Sequence, residues 1–233
     1  MLNNKYSKVL TIILVILIIA IASILIFVGI DWYKAYMTDA DAEDFQDQFN
    51  DYLNGVSNNT QTPSNTEVVD PIIDPNSIVE NTQSNTQSNT QTGEENNSSG
   101  LTYKGFNVVG RIEIPETDVD YPLLEKVTPA SIQAAIGVMY GPGPNQVGNT
   151  VLVGHNFRNG TFFSNNKRLE NGDKIYITDM QGNRVTYVIY QKYTTDPNDF
   201  EYATRDTNGK REITLSTCTD DTSGRLIIWA AEE

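Results

Sequence analysis

The chain has 233 residues, a formal net charge of −14 at neutral pH, one cysteine and one histidine. Most of the excess of acidic residues lies in the first hundred residues. This charge excludes the broad basic surface that nucleic-acid binding requires. A single cysteine excludes an intramolecular disulfide, so the thiol is a buried small side chain, an intermolecular cross-link or a reactive group.

The first predicted element is a membrane-spanning helix at residues 9–30. At about 1.5 Å rise per residue, this apolar run spans the hydrocarbon core of a bilayer, which is about 30 Å thick. The run is longer than the apolar stretch of a cleaved signal peptide, and Trp32 and Tyr33 follow it as interfacial aromatic residues. Lysines precede the run and acidic residues follow it, so the positive-inside rule predicts that residues 1–8 are cytoplasmic.

Two polar segments are predicted to separate this helix from the rest of the chain. Residues 31–53 form an acidic juxtamembrane segment. Within it, residues 39–53 carry aromatic side chains at helical spacing, so a short amphipathic helix and a solvated juxtamembrane turn are both open interpretations. Residues 54–100 are rich in Asn, Thr, Ser and Gln, and they contain too little apolar surface to offset the entropy of ordering. We predict a disordered linker there.

Residues 101–233 are predicted to form one mainly β domain. Short segments rich in Val, Ile, Tyr and Thr alternate with turn signals, and a domain of this length can bury one hydrophobic core. The candidate strands are 106–114, 150–154, 174–178, 184–192, 212–217 and 225–230. The candidate helical segments are 129–136, with Thr128 as its N-cap, and 162–169. Regularly spaced strands with few helices indicate a barrel or a sandwich.

Cys218 directly follows the strand predicted at 212–217, and side-chain alternation places it on the small, polar face with Ser216. Residues 219–224 indicate a turn, which would bring Arg225 opposite Cys218 across a hairpin, with Cβ atoms about 5 Å apart. A guanidinium there could favour the thiolate and stabilise an oxyanion. A solvated hairpin arginine is the alternative interpretation.

His155 ends the strand predicted at 150–154 and is the only imidazole, as Cys218 is the only thiol. A cysteine nucleophile needs a base or an ion-pair partner, and a leaving amine needs a proton. Because each residue ends a strand and precedes a loop, the two residues indicate one shared site. A structural or surface histidine is the alternative.

The chain resembles the sortase family of Gram-positive cell surfaces in three motifs, which follow the family's order. These motifs are the histidine motif Gly154-His155-Asn156-Phe157, the cysteine signature Thr214-Leu215-Ser216-Thr217-Cys218, and Gly224-Arg225. The resemblance covers residues 109–230 and is strongest to classes A and D. It extends to the layout of an N-terminal anchor, a polar linker and a compact domain at residues 101–233.

The resemblance implies an all-β fold, a closed eight-stranded barrel with one or two short helices. It also implies a cysteine transpeptidase in which Cys218 attacks the threonine carbonyl of an LPxTG-like sorting signal and forms a thioacyl intermediate. His155 would be the general acid and base, and Arg225 would bind the substrate and the oxyanion. Three further residues would contact the substrate, namely Thr217, Ser216 and Asn156. An amine of the cell wall or of a pilin lysine would then resolve the intermediate.

The partners implied are exported proteins that carry such a signal, the amine acceptor and the membrane, with the catalytic domain outside the cell. No cofactor or metal is expected to be required. Calcium is the one candidate, and its possible oxygen ligands are Glu113, Glu116 and Asp118, with Asp199 or Glu201. Two alternatives remain open: a cysteine hydrolase or thiol protease with the same site, and a non-enzymatic stalked surface receptor.

Overall fold

The computed structural model describes residues 4–59 and 100–233. The N-terminal part is one continuous helix, α1 (Asn4–Asn59). It begins with a stretch that is long and apolar enough to cross a membrane, as predicted for residues 9–30. The large apolar side chains of that stretch are exposed.

The helix continues without interruption past the apolar stretch, so residues 31–53 form a helix rather than a solvated turn. Residues 54–59 are also helical, although the linker was predicted to begin at residue 54. The remainder of the predicted linker, 60–99, lies outside the described residues.

Eight strands form a closed barrel. In chain order they are β2 (Phe106–Ile114), β3 (Val119–Leu124), β4 (Ile136–Tyr140), β5 (Gly148–Val153), β6 (Lys174–Asp179), β7 (Arg184–Thr195), β8 (Arg211–Cys218) and β9 (Arg225–Glu232), and a two-residue strand β1 (Thr102–Tyr103) precedes them. The hydrogen-bonded order is β2-β3-β4-β5-β8-β9-β7-β6, with β1 paired to β2. Strand β6 also pairs with β2, which closes the sheet. The predicted closed eight-stranded barrel is therefore confirmed.

All six predicted strands are present, and the sequence pattern missed β1, β3 and β4. Strand β3 contains Pro122, and a proline usually argues against a strand. It is tolerated here because Pro122 pairs only with β2, whereas the pairing of β3 with β4 is confined to Leu123 and Leu124. The start of β4, Ile136, was assigned to the preceding helix.

The helices of the domain are shorter than predicted. In the segment 129–136 only α2 (Ser131–Ala134) is α-helical, although the Thr128 hydroxyl does accept a hydrogen bond from the Ser131 amide at 3.0 Å. The turn predicted within 162–169 is a 3-10 helix at Asn166–Arg168. Further 3-10 helices cover Pro115–Thr117 and Glu201–Ala203.

The second half of α1 packs against the barrel and shares its hydrophobic core. Phe45 and Phe49 lie one helical turn apart on the same face of α1, and each is only 1% exposed. The ring centroid of Phe45 lies 5.4 Å from that of Tyr103, in an edge-on arrangement. An ion pair of 2.7 Å between Lys104 and Asp41 adds a polar contact. The helix is thus attached to the barrel by both apolar and polar contacts.

Replacing Phe45 with alanine should weaken this attachment, because truncation of a buried phenylalanine typically costs about 3–5 kcal/mol. We expect faster amide hydrogen exchange across residues 39–53, with exchange in the barrel strands nearly unchanged. Gln48, on an exposed face of the same helix, provides the matched control. If Phe45→Ala and Gln48→Ala exchanged equally slowly, the packing would contribute little to docking.

Candidate active site

Strand register places His155 and Cys218 at the same end of the barrel. Strands β5 and β8 are parallel neighbours, with Val153 opposite Ser216. His155 lies two residues beyond Val153, and Cys218 lies two residues beyond Ser216, so the same offset brings the two residues side by side. The single imidazole and the single thiol therefore share one site.

Arg225 faces Cys218 across the hairpin formed by β8 and β9, as the sequence predicted. Its Nη1 atom donates a hydrogen bond to the Cys218 sulfur at 2.9 Å. The turn between the strands is held by the Thr219 amide, which donates to the Gly224 carbonyl at 3.0 Å. A Cβ atom on Gly224 would lie 3.0 Å from the Thr195 carbonyl oxygen. Glycine at this position, directly before Arg225, therefore allows the end of β7 to lie close to the turn.

His155 is half-buried, and its ring contacts Gln133 and Phe157. The Phe157 ring centroid lies 4.7 Å from that of His155. The Gln133 amide nitrogen lies 3.0 Å from His155 Nε2. The Gln133 side chain therefore lies within hydrogen-bond distance of the imidazole and fixes the position of the ring. A Cβ on Gly154 would lie 2.9 Å from the Phe163 ring, so glycine before His155 leaves the space that the Phe163 ring occupies.

The surroundings of His155 disfavour the protonated, positively charged form of its imidazole. Burial, and then the positive charge of Arg225, lower the pKa of His155 below its ordinary value of 6.5. The imidazole is therefore neutral at pH 7, and it can accept a proton during a reaction.

The direction of the His155 pKa shift can be measured by NMR titration of histidine-labelled protein. A chain with one histidine gives one set of imidazole signals. We expect a midpoint below 6.5 in the wild type. In Arg225→Gln the midpoint should rise, since a positive charge is removed, but remain below 6.5 because burial is the larger cause. An unchanged midpoint in this variant would show that the guanidinium does not act on the ring.

The three predicted substrate contacts differ in accessibility. Ser216 and Thr217 are each 2% exposed. The Thr217 hydroxyl donates to the Gly154 carbonyl at 2.7 Å, so it joins the end of β8 to the residue before His155. Asn156 is half-buried, and its amide donates to the Cys218 carbonyl at 3.0 Å. These positions favour a role in positioning the site, and direct substrate contact stays a prediction.

Gln133 and Asp220 are residues of the site that the sequence analysis did not identify. Asp220 accepts hydrogen bonds from Lys167 at 2.6 Å and Asn156 at 2.9 Å, and these bonds lower the pKa of its carboxyl. It lies in the turn after Cys218, so it anchors Asn156 and that turn to each other. No local sequence signal indicated Gln133, because its contact with His155 depends on how α2 packs.

Across residues 4–59 and 100–233, no group of three or more His, Cys, Asp or Glu side chains could hold a metal ion. Glu113, one of the candidate calcium ligands, is paired with Arg184 and Arg111. Asp199 accepts a hydrogen bond from the Thr195 hydroxyl. The expectation that no metal is required stays a prediction.

The closed barrel thus brings a cysteine, an arginine and a histidine together at neighbouring strand ends. The sequence model of the sortase domain family matches residues 112–233, just over half of the chain. The chain therefore belongs to the sortase family, whose members are cysteine transpeptidases.

Curated relatives agree with this family. The chain is 34% identical to Sortase A of Bacillus anthracis over 127 residues, which cover 52% of this chain and 58% of that protein. It is 31% identical to Sortase A of Listeria monocytogenes over 112 residues, which cover 48% of this chain and 49% of that protein. The match thus spans about half to three fifths of each relative's length.

Solved structures give the same result. Sortase A from Corynebacterium diphtheriae aligns with a TM-score of 0.50 and 29% identity, over 55% of this chain and 61% of that chain. The Clostridium perfringens Sortase D5 transpeptidase aligns with a TM-score of 0.50 and 26% identity, over 55% of this chain and 79% of that chain.

Proposed function

We propose that this chain is a membrane-anchored, class A- or D-like sortase. It cleaves an LPxTG-like sorting signal after threonine and transfers the new carboxyl end to an amine of the cell wall or of a pilin. The 2.9 Å contact between the Arg225 guanidinium and the Cys218 sulfur carries this proposal, since it places a cation on the one thiol of the chain.

In the first step, Cys218 attacks the threonine carbonyl carbon. The thiol proton passes to neutral His155, and the oxyanion that forms is stabilised by the planar donors of Arg225. Collapse of this intermediate breaks the peptide bond, and the imidazolium gives its proton to the leaving amine. The product is a thioester on Cys218.

The anchor and its orientation are also part of the proposal. Helix α1 begins with the apolar stretch that is able to cross a membrane. Lysines before that stretch and acidic residues after it favour a cytoplasmic N-terminus and an extracellular barrel. Exported proteins held at the outer face of the membrane would be within reach of such a site.

The test uses the full chain in lipid nanodiscs, because part of α1 belongs to the core of the barrel. Quenched LPxTG and LPxTA peptides are incubated with and without an amine, and the products are identified by mass spectrometry. A ligated product that depends on Cys218 supports the transpeptidase. Hydrolysis alone indicates the cysteine hydrolase, and intact peptide with a thiol that resists a thiol-directed probe indicates the receptor.

A further inference from the structure

A cleft of about 790 Å³ lies between α1 and the barrel. Tyr33, Lys34, Met37, Thr38 and Asp41 form its wall on the helix side, and Gln133 and Phe157 contribute to the barrel side. The helix residues of this wall lie between the apolar stretch and the point where Phe45 fixes α1 to the barrel. The cleft therefore exists only while the helix is docked.

The cleft adjoins the imidazole of the active site. Both barrel residues named above also contact His155, Gln133 by a hydrogen bond of 3.0 Å and Phe157 by ring packing at 4.7 Å. A molecule held between the helix and these two side chains thus lies next to the group that moves protons in the proposed reaction.

The second half of that reaction requires an amine at this place. The amine nitrogen attacks the thioester carbon, its proton passes to His155, and a C–N bond forms. The C–S bond then breaks, its electron pair stays on the Cys218 sulfur, and His155 returns the proton to that sulfur. The amine nitrogen must therefore come within hydrogen-bond reach of a ring nitrogen of His155.

We propose that this cleft is the binding site of the acceptor amine and that α1 supplies one of its walls. The inference rests on the proposed function and adds to it residues that select the acceptor. Tyr33, Met37 and Phe157 offer apolar contact, and Thr38 and Gln133 offer hydrogen-bonding groups. Lys34, Lys104 and Arg158 also line the cleft, and the Asp41 carboxylate there is paired with Lys104 at 2.7 Å. Apolar contacts together with this excess of positive charge suit a short peptide that carries carboxylates beside its primary amine.

A continuous series of contacts holds the helix wall in place relative to the imidazole. The Tyr121 hydroxyl donates to Asp39 of α1 at 2.6 Å. The Tyr121 ring centroid lies 5.0 Å from that of Phe162, which lies 5.8 Å from that of Phe157. Phe157 in turn packs on His155. The wall and the proton carrier are therefore parts of one packed unit.

The test compares two tyrosines of α1 that are three residues apart and almost equally exposed. Tyr33 is 59% exposed and is part of the cleft wall, whereas Tyr36 is 58% exposed and lies outside it. Full-length Tyr33→Ala, Tyr36→Ala and wild type are reconstituted in nanodiscs. Each is given a cleavable peptide and increasing amounts of glycyl-peptide and lysine-amide acceptors.

Two quantities are read by mass spectrometry: the cleavage rate without amine, and the amine concentration that gives half-maximal ligation. In Tyr33→Ala we expect the half-maximal concentration to rise about five- to tenfold, as for a truncated binding residue. The cleavage rate without amine should change less than twofold. Tyr36→Ala should match the wild type, and Met37→Ala should behave as Tyr33→Ala.

Other results would overturn the inference. An unchanged amine dependence in both Tyr33→Ala and Met37→Ala would show that the cleft does not hold the acceptor. A parallel loss of cleavage and ligation would assign the cleft to the sorting signal, and a rise in both rates would show that the helix only obstructs the site. A wild type that cleaves nothing would instead remove the proposed function, and this inference with it.

Discussion

Cys218→Ala is expected to lose all transpeptidation, a decrease of at least about 10³-fold in turnover. The chain has no second thiol that could replace the nucleophile. The proposed reaction also passes through a covalent thioester, so the effect should be visible in the mass of the protein itself. Intact-protein mass spectrometry should detect the acylated wild type during turnover and only the free form of the variant.

The variant should otherwise keep its structure, because Cys218 is only partly buried and alanine fits in its place. Circular dichroism and thermal unfolding of the barrel provide the control. Product formation by a folded Cys218→Ala protein would contradict the mechanism. An unacylated wild type that still cleaved the peptide would contradict the covalent step alone.

Arg225→Lys is expected to lower kcat by roughly 10²–10³-fold, the usual effect of removing an oxyanion donor. Lysine keeps the positive charge, but its ammonium group cannot reproduce the planar set of donors that reaches the Cys218 sulfur. The decrease should be in kcat more than in KM, since the oxyanion exists only after attack. Steady-state kinetics with a quenched peptide and a fixed amine would measure it.

Arg211→Lys is the matched control for this substitution. Arg211 opens strand β8, as Arg225 opens β9, and it forms an ion pair with Glu232 at 2.7 Å. The pair is partly exposed, and such pairs contribute about 0–1 kcal/mol to stability. We therefore expect activity close to the wild type. Equal losses in the two variants would mean that the effect arises from the strands and not from the sulfur contact.

The sequence predicted the barrel well where strands are apolar and bounded by turns. It failed where two signals compete. In β3, Pro122 argues against a strand, but the strand forms because Pro122 pairs only with β2 and not with β4. It also failed at α2, where an apolar run favours both a helix and the start of β4. Local patterns cannot resolve such cases, because the partner strand decides them.

The sequence predicted those contacts of the site that form between residues close together in the chain. The facing of Cys218 and Arg225 follows from one hairpin, and the register confirms it. The nearness of His155 to Cys218 depends on the long-range pairing of β5 with β8. The position of each residue at a strand end indicated a shared site, and the family resemblance supported it. Gln133 and the α1 wall depend on long-range packing, for which the sequence carries no direct signal.

A continuous helix that is docked to the barrel changes what determines the reach of the enzyme. Residues 30 to 45 of α1 separate the end of the apolar stretch from the buried Phe45, which corresponds to about 22 Å of helix. In the proposed topology the helix would act as a strut of fixed length, and the residues between it and β1 would not set the height of the active site above the bilayer. Sorting signals would be accessible only within a narrow band next to the membrane.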